Sequence, residues 1–235
     1  MLFRSDRILH TSLLLFNVEG EPNTTTVDIA NEMDISPGNL YYHFKGKDVI
    51  IAELFVQFEA SIGEILDAPI DGHLKLEDNW FYLYVVFEEI YNYRFFYRNL
   101  TDLLERYPAL GKRFRRILNQ KSAAINALID NLSREGELSN TPEERQVLVD
   151  NVVLLLTYWL NYQELRHDEL APAVLIHQGV FQILAMAAPY LGDRQLEFYR
   201  ECQDIYRAIE RARYGGSEDD LEVLVSRVSR FVEGA

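Results

Sequence analysis

The sequence predicts an all-α protein in which a small N-terminal head of three helices precedes a larger helical body. Of the 235 residues, 48% are apolar, which is enough for a small head joined to a sizeable core. Apolar side chains recur at helical spacing, whereas the strand pattern of alternating apolar and polar residues between turns is not evident. We therefore expect helices throughout the chain.

The first predicted helix runs from Arg7 to Val18 and forms the scaffold of the head. Its inner face comprises Ile8, Leu9, Ser12, Leu13 and Phe16. Asp6 lies near the start of the helix, where a negative charge suits the helix dipole. Gly20 ends the helix, and residues 21–23 form the turn that follows.

The next stretch, Thr24 to Lys47, predicts two short helices joined by a tight turn. Thr25 is the expected N-cap of the first helix. The apolar stripe of that helix comprises Ile29, Ala30 and Met33. The start signals repeat at Ser36 and Pro37, because the serine hydroxyl can accept a bond from a free amide and proline fits the first helical position. The pattern is that of a helix-turn-helix.

The second helix of this pair has a more polar outer face than a helix that serves only the core. Leu40 and Phe44 face inward, and the outer positions are Pro37, Gly38, Asn39, Tyr41, Tyr42 and His43. Asn39 can offer a donor and an acceptor to a base edge in a major groove. Tyr41, His43 and Lys47, with the free amides around Lys47, are donors suited to phosphate oxygens. An ordinary amphipathic hairpin with a solvated face would show the same pattern.

The segment from Arg7 to about Leu54 resembles the DNA-binding segment of the TetR family of transcriptional regulators. The residues that carry the resemblance are Arg7-Ile8-Leu9, Phe16, Thr25-Thr26, Ile29-Ala30, Ile35-Ser36, Leu40-Tyr41-Tyr42-His43-Phe44 and Lys47. The resemblance implies that the residues that meet the DNA backbone are Thr25, Thr26, Tyr41, His43 and Lys47. It implies that those facing the bases are Ser36, Pro37, Gly38, Asn39 and Tyr42.

Two positions depart from the family pattern. Asp34 replaces the glycine that is usual in the turn between the two helices, and aspartate visits the left-handed conformation more readily than most residues. Val27 stands where a basic residue is common, so we expect one phosphate contact fewer.

The charge of the chain is opposite to the basic footprint of most nucleic-acid binders. The net charge is −14 at pH 7, and residues 1–50 carry four basic against seven acidic side chains, a net charge of −3. The remaining charge lies in the body, where salt screens it beyond about 8 Å. We expect weak non-specific binding and a modest dependence on salt, with affinity resting on a few placed contacts in each half-site.

A long helix over residues 48–66 is predicted to connect the head to the body. Gly46 ends the helix before it, and the turn-rich residues 67–72 form the expected boundary. The sequence therefore predicts a helix-turn-helix domain over residues 1–66 and an effector-binding and dimerisation domain over residues 67–235.

Residues 74–97 are unusually rich in aromatic side chains. Core packing with tyrosine hydroxyls directed to solvent accounts for such a segment, and so does a pocket for a small apolar effector. The resemblance to the family implies that a pocket exists but not what it holds. The residues expected to line it are Trp80, Tyr84, Phe87, Tyr91, Phe95, Phe96 and Trp159.

Two long helices in the second half of the chain are predicted to form a dimer interface. A capping box begins the first at Thr141, and the second begins at Pro172. Both carry more apolar surface than one core needs, so we expect a four-helix bundle with a second copy, as the family also implies. The expected interface residues are Val152, Leu155, Trp159, Ile176, Val180 and Ile183. A buried central hairpin in a monomer is the alternative.

Three further helices complete the prediction. One follows Pro108, one runs from Gly192 to about Arg213, and a short one lies near the C-terminus, with Leu221 to Phe231 on its apolar face. The basic cluster Arg113-Phe114-Arg115-Arg116 in the first of these is interpreted as a solvated surface, although it is also a candidate second DNA contact.

Other classes of protein find little support in the sequence. The five histidines show no metal spacing, and there is no phosphate-binding glycine loop or nucleophile elbow, so we expect neither a metal, nor a cofactor, nor enzyme activity. Cys202 is the single cysteine, which fits a reducing cytoplasm. Neither an export signal nor a membrane span is expected.

The sequence therefore predicts a ligand-responsive transcriptional regulator that acts as a repressor. It would bind a palindromic operator in double-stranded DNA as a homodimer and be released by a small apolar effector that displaces the helix over residues 48–66. Two alternatives are a small-molecule-binding helical protein whose head contacts a protein partner, and a helical enzyme whose catalytic residues are distant in sequence.

Overall fold

The computed structural model describes residues 4–68, 76–134, 138–166 and 170–198, with residues 200, 201, 203, 204 and 207. Over these ranges the chain is helical and contains no strand, which confirms the all-α prediction. The helices are α1 (Arg4–Glu19), α2 (Thr26–Glu32), α3 (Pro37–His43), α4 (Lys47–Leu66), α5 (Leu76–Asn92), α6 (Arg94–Arg98), α7 (Leu100–Arg106), α8 (Pro108–Arg134), α9 (Pro142–Leu165) and α10 (Pro172–Ala187).

The helix predicted after Gly192 is described only in part. A 3₁₀ turn covers Gly192–Arg194, and residues 195–198 continue it as α-helix. The short C-terminal helix predicted around residues 221–231 lies outside the described residues.

The chain packs as two compact units. One comprises Met1–Glu64 and Glu89–Ile117, and the other comprises Ile65–Glu88 and Leu118–Ala235. The division falls within α4, α5 and α8 rather than in a linker. It describes packing, and the functional boundary expected after residue 66 stays a prediction.

The first unit holds α1 in place through the side chain and carbonyl of one buried asparagine. Asn17 Nδ2 donates to the Asn92 carbonyl at 2.7 Å, and its Oδ1 accepts from the Phe95 amide at 3.1 Å. Arg98 donates to the Asn17 carbonyl at 2.6 Å. Because both ends of the amide are satisfied, the scaffold helix of the head is fixed against α6.

An aromatic cluster fills the core of this unit. Phe55 and Phe96 meet edge to face at 5.2 Å between ring centroids, and Phe95 packs on Phe16 at the same distance. Phe58 contacts Phe96 as well, at 5.9 Å. These rings are buried against one another, so Phe95 and Phe96 are core residues, and their role as the lining of an effector pocket stays a prediction.

The second unit is built around α9 and α10. Gly179 in α10 lets two rings come close: a Cβ at this position would lie 2.8 Å from Phe87 Cζ and 2.9 Å from Trp159 Nε1. The Trp159 indole N–H donates to the Leu175 carbonyl at 2.9 Å. The predicted capping box at Thr141, with Glu144, begins α9 as expected.

A buried histidine lies between aromatic rings in this unit. His177 Nδ1 accepts a hydrogen bond from the Trp80 indole at 3.1 Å, and the Tyr84 ring lies 4.8 Å from it. Burial lowers the pKa of His177 to about 4, so the ring is neutral at pH 7. Trp80 and Tyr84, two more of the residues predicted to line a pocket, are therefore packed around this histidine.

Among the described residues, one helical stretch, Pro172–Tyr190, has the length and hydropathy of a membrane span. Half of that stretch is buried inside the protein, as in the core helix of a soluble protein.

Candidate nucleic-acid interface

Side-chain caps begin both helices of the helix-turn-helix. The Thr25 hydroxyl accepts from the Asp28 amide, and the Asp28 carboxylate accepts from the Thr25 amide, which is the reciprocal pattern of a capping box. Ser36 caps α3 by accepting from the Asn39 amide at 3.2 Å, with Pro37 at the first helical position. Both predicted caps are confirmed.

Asp34 is the point at which the chain reverses. Its φ of 53° places it in the left-handed region, where glycine is common, and it is the non-glycine residue with positive φ in the described part of the chain. The Ile35 amide then closes back on the Ala30 carbonyl at 3.0 Å. The prediction that aspartate replaces glycine in the left-handed turn is confirmed.

Helix α3 buries one side and exposes the other. Leu40 and Phe44 are 1% and 6% exposed, as expected of the inward positions. We call the outer side the recognition surface, and it comprises Ser36, Pro37, Gly38, Asn39 and Tyr42. Tyr42 is 77% exposed, and a Cβ at Gly38 would meet only the Ser36 hydroxyl, at 4.0 Å. The five residues predicted to face bases thus lie together on one accessible surface.

The residues predicted to contact phosphate lie around this surface, and they differ in exposure and in how far their polar groups are already hydrogen-bonded within the protein. Thr25 is exposed, but its hydroxyl and amide are bonded to Asp28, and those bonds lower the pKa of the Asp28 carboxyl. Thr26 is half-buried, and Tyr41 is 58% exposed. The Lys45 ammonium lies 4.7 Å from the centroid of the Tyr41 ring. Sequence reasoning did not select Lys45, which follows the end of α3, where helical spacing gives no guide to which side chains meet.

His43 is oriented by a residue from α1. The Ser5 hydroxyl and His43 Nδ1 are 3.1 Å apart. A hydroxyl that donates to Nδ1 leaves the proton of a neutral imidazole on Nε2, where it can be given to a phosphate oxygen. Because 38 residues separate the two side chains, the sequence held no sign of this contact.

Lys47 is used within the protein. Its ammonium donates to the carbonyls of Glu21 and Thr24, at 2.8 and 3.0 Å, and pairs with the Glu21 carboxylate at 3.0 Å. An ammonium has three protons, and these three acceptors match them. In this conformation the ammonium is bonded within the protein, so its contact with phosphate stays a prediction, and the other donors at this place are the first amides of α4.

The Glu21 carboxylate joins three elements of the head unit. Its side chain is fully buried, and Arg106 of α7 binds both of its oxygens, at 3.3 and 2.6 Å. Burial alone would raise the pKa of Glu21, but the hydrogen bonds and charges of Arg106 and Lys47 outweigh it and lower the pKa. This charged cluster fixes the α1–α2 turn and the start of α4, on which the recognition surface depends.

A cavity of about 310 Å³ lies inside the second unit. Its lining is mainly aliphatic and comprises Asn79, Leu83, Ile125, Leu128, Ile129, Leu132, Leu138, Leu148, Val152, Ile183, Leu184, Ala187, Leu191, Arg194, Phe198 and Glu201. None of the seven residues predicted for an effector pocket is among them. Large aromatic side chains fill space, so they close the core where they cluster, and the void lies where smaller side chains meet.

An open cleft between α9 and α10 corrects the predicted dimer interface. Val152, Ile176, Val180 and Ile183 are at most 4% exposed, so they belong to the core of one chain. Leu155 and Trp159 do line the cleft, together with Asn151, Leu154, Tyr158, Tyr162, Gln163, Arg166, Gln178, Gln182 and Met186. Leu154, Tyr158 and Tyr162 are 45–58% exposed. The cleft thus includes two of the three α9 residues predicted for the interface, Leu155 and Trp159, and extends to exposed apolar residues of α9 that were not predicted.

Comparison with known proteins agrees with this arrangement. Residues 8–54 match the family model described as bacterial regulatory proteins, tetR family, and residues 57–199 match the model described as bacterial transcriptional repressor. The probable transcriptional regulator YttP of Bacillus subtilis is 22% identical over 158 residues, which cover 65% of this chain and 76% of that protein. The Shigella flexneri regulator AcrR is 34% identical over 58 residues, which cover 25% and 27% of the two chains.

A solved structure shows the same architecture. A TetR-family transcriptional regulator from Marinobacter aquaeolei VT8 is 38% identical, covers 86% of this chain and 98% of its own, and superposes with a TM-score of 0.78. These relatives are regulators and not enzymes. With a capped helix-turn-helix in the head and two family models that together span most of its length, the chain belongs to the TetR family of bacterial transcriptional regulators.

Proposed function

We propose that the protein is a repressor that binds a palindromic operator as a homodimer and is released by a small apolar effector. Each subunit inserts α3 into a major groove, and the two-fold symmetry requires half-sites about 34–36 Å apart or a multiple of that spacing. The observation that carries the proposal is the recognition surface, where Ser36 to Gly38 and Tyr42 are exposed and Asn39 is half-buried, on a helix that Ser36 caps.

Phosphate contacts in this proposal come from few groups. Tyr41, Lys45 and His43 lie beside the recognition surface, and the first amides of α4 add a helix N-terminus. Since the Lys47 ammonium is bonded internally, we expect a shallow dependence of affinity on salt.

Repression is supported by similarity. The body matches a model described as a bacterial transcriptional repressor. A Staphylococcus epidermidis protein described as a negative transcriptional regulator of the biofilm operon, IcaR, is 21% identical over 165 residues, which cover 66% of this chain and 80% of that protein. A protein that acts on bacterial DNA works in the cytoplasm.

Dimerisation is supported by the outer side of α9. The exposed apolar residues there are Val147, Leu154, Tyr158, Tyr162 and Leu165, and half-buried Met186 of α10 borders the same cleft. A contiguous apolar surface of this kind is typical of an interface between copies. The effector would bind in the 310 Å³ cavity and act by its differential affinity for two conformations, with a coupling of about 1–3 kcal/mol.

Selection of bound fragments from random duplex DNA by the purified protein tests the proposal. We expect a palindromic site, and we expect Asn39→Ala and Tyr42→Ala each to lower affinity for it by about 1–3 kcal/mol without loss of folding. Val18→Ala, an exposed residue of α1, is the matched control and should bind as the wild type does.

The same experiment distinguishes DNA binding from the alternative that the head contacts a protein partner. The acidic balance of the head favours that alternative, because a net charge of −3 over residues 1–50 repels DNA. If no duplex is enriched at low salt, or if the enriched sites bind Asn39→Ala and Tyr42→Ala unchanged, the DNA-binding proposal is wrong.

A further inference from the structure

The interior of the 310 Å³ cavity is aliphatic. Four helices and the turn after α8 supply its deep lining, whose members are at most 6% exposed: Leu83, Ile125, Leu128, Ile129, Leu138, Leu148, Val152, Ile183 and Leu184. Phe198 is the one aromatic residue in the lining. Apart from the buried amide of Asn79, this deep lining is aliphatic, and it offers a bound group neither ring stacking nor a charged partner, so it favours apolar atoms.

The rim of the cavity is polar and carries both signs of charge. Arg194 and Glu201 are exposed and lie seven residues apart, with Phe198 between them at helical spacing, so one side of this segment borders the opening. The Arg194 side chain is 53% exposed and also lies 3.9 Å from Glu197. Asn79 adds a buried amide to the lining. The cavity is thus amphipathic, with a charged rim and an apolar interior.

The volume limits the length of the ligand. A cavity of 310 Å³ accommodates roughly ten groups of the size of a methylene or a water, each taking about 30 Å³. A rigid ring system of that volume needs a wide, flat space, whereas a flexible chain can follow a lining of branched side chains contributed by several helices.

We propose that the effector is a linear aliphatic molecule of roughly eight to twelve carbons with a terminal polar group, its chain inside the cavity and its polar end at Arg194 and Glu201. The proposal rests on the proposed function for its regulatory meaning, but the site itself is independent of DNA. Each methylene that enters an apolar interior tightens binding about fourfold, until the interior is full.

Titration calorimetry with the full chain, free of DNA, tests this inference. The probes are the C6 to C14 carboxylates in steps of two carbons, the matching 1-alkanols and 1-aminoalkanes, and 2-naphthoate as an aromatic probe close to decanoate in size. In at least one head-group series we expect affinity to rise about fourfold per methylene and to stop rising near ten carbons. We expect 2-naphthoate to bind at least tenfold more weakly than decanoate does.

Two variants at half-buried lining positions are expected to shift the optimal chain length of the ligand in opposite directions. Leu132→Ala removes three carbons from the lining and should lengthen the optimal chain by about three carbons, and Ala187→Leu should shorten it by about as much. Leu154→Ala on the outer side of α9 is the matched control and should leave the optimum unchanged. Circular dichroism verifies that each variant is folded.

Three outcomes overturn the inference: tighter binding of 2-naphthoate than of any linear probe, affinity that does not depend on chain length in any series, or the same optimum in Leu132→Ala and Ala187→Leu. Failure of the proposed function is a separate result. If linear chains bind as expected but leave affinity for the selected operator unchanged, the aliphatic site stands and its role in release does not.

Discussion

The recognition surface and the cavity are built in opposite ways. The recognition surface comes from seven consecutive positions, Ser36 to Tyr42. One side-chain cap at the start of each of α2 and α3, formed between residues three apart in the chain, supports it. The cavity is assembled from side chains that lie more than 100 residues apart, from Asn79 to Glu201. Local hydrogen bonds decide the first, and long-range packing decides the second. A site made by local hydrogen bonds can be predicted from a sequence, whereas a site made by long-range packing cannot.

The buried charges of the two units show the same contrast. The Glu21 carboxylate in the head unit is paired with Arg106 and Lys47, and these two cations keep it ionised although it is buried. Lys121 in the body unit is fully buried with its ammonium 3.3 Å from the Leu156 carbonyl, and burial lowers its pKa to about 7. Two cations hold the Glu21 carboxylate in its ionised form in the head unit, whereas burial disfavours the charged form of Lys121 in the body unit.

The largest expected effect is the loss of the head's compensated charge. Glu21→Gln leaves Arg106 and Lys47 without their shared anion and should lower the free energy of unfolding by about 3 kcal/mol, measured by urea denaturation at pH 7. Because the folded-state pKa of Glu21 is lowered, its contribution is complete above the ordinary pKa of 4.5 and is lost as pH falls through the folded value. An equal difference from wild type at pH 7 and at acid pH would contradict this role.

The corresponding change in the body should have the opposite sign. Lys121→Met removes a buried amine and should stabilise the protein, by about 1–4 kcal/mol at pH 7. Since the folded pKa of about 7 lies below the ordinary 10.5, the unfolded chain binds more protons between these values, and wild-type stability rises with pH there. The advantage of the variant should therefore shrink by about 1–2 kcal/mol between pH 7.5 and pH 9 in urea melts. A constant advantage would mean that Lys121 titrates normally.

Two glycines provide the next comparison. Gly179→Ala places a methyl group 2.8 Å from Phe87 Cζ in the packed body and should cost about 1–3 kcal/mol in thermal unfolding. Gly38→Ala, on the open recognition surface, should cost no stability and gain up to about 1 kcal/mol from helix propensity.

Operator binding should rank these two variants in the reverse order. Under the proposed function, Gly38→Ala weakens binding to the selected site because the methyl group separates α3 from the groove, whereas folded Gly179→Ala binds normally. If both variants bind equally well, Gly38 does not approach DNA closely.

The smallest expected effect tests the contact between Ser5 and His43. Removing the hydroxyl in Ser5→Ala should weaken operator binding by about 0.5–1.5 kcal/mol, because His43 loses its orienting partner. In a His43→Ala background the same change should have no further effect, which a double-mutant cycle in gel-shift titrations measures. Ser133→Ala, exposed in α8, is the control, and additive losses from Ser5→Ala and His43→Ala would refute the coupling.

Prediction from sequence succeeded where the causes are close along the chain. The caps at Thr25, Ser36 and Thr141, the left-handed Asp34 and the inward positions of Leu40 and Phe44 all follow from residue type and helical spacing. It did not locate the 310 Å³ cavity, because composition reveals how many rings a segment holds but not which neighbours those rings pack against. It also did not reveal the internal contacts of the Lys47 side chain, whose acceptors lie 23 and 26 residues away.

The sequence by itself determined the helical class, the limits of α4 and α9, the starts of α2, α3 and α10, and the inward and outward sides of α3, because propensity, capping and periodicity act over a few residues. Only the tertiary structure decided which side of α9 is left without a partner, where the cavity lies and which ions are paired. Those features depend on how side chains from distant segments fill the same volume, and the sequence of a single helix does not predict which segment it will pack against.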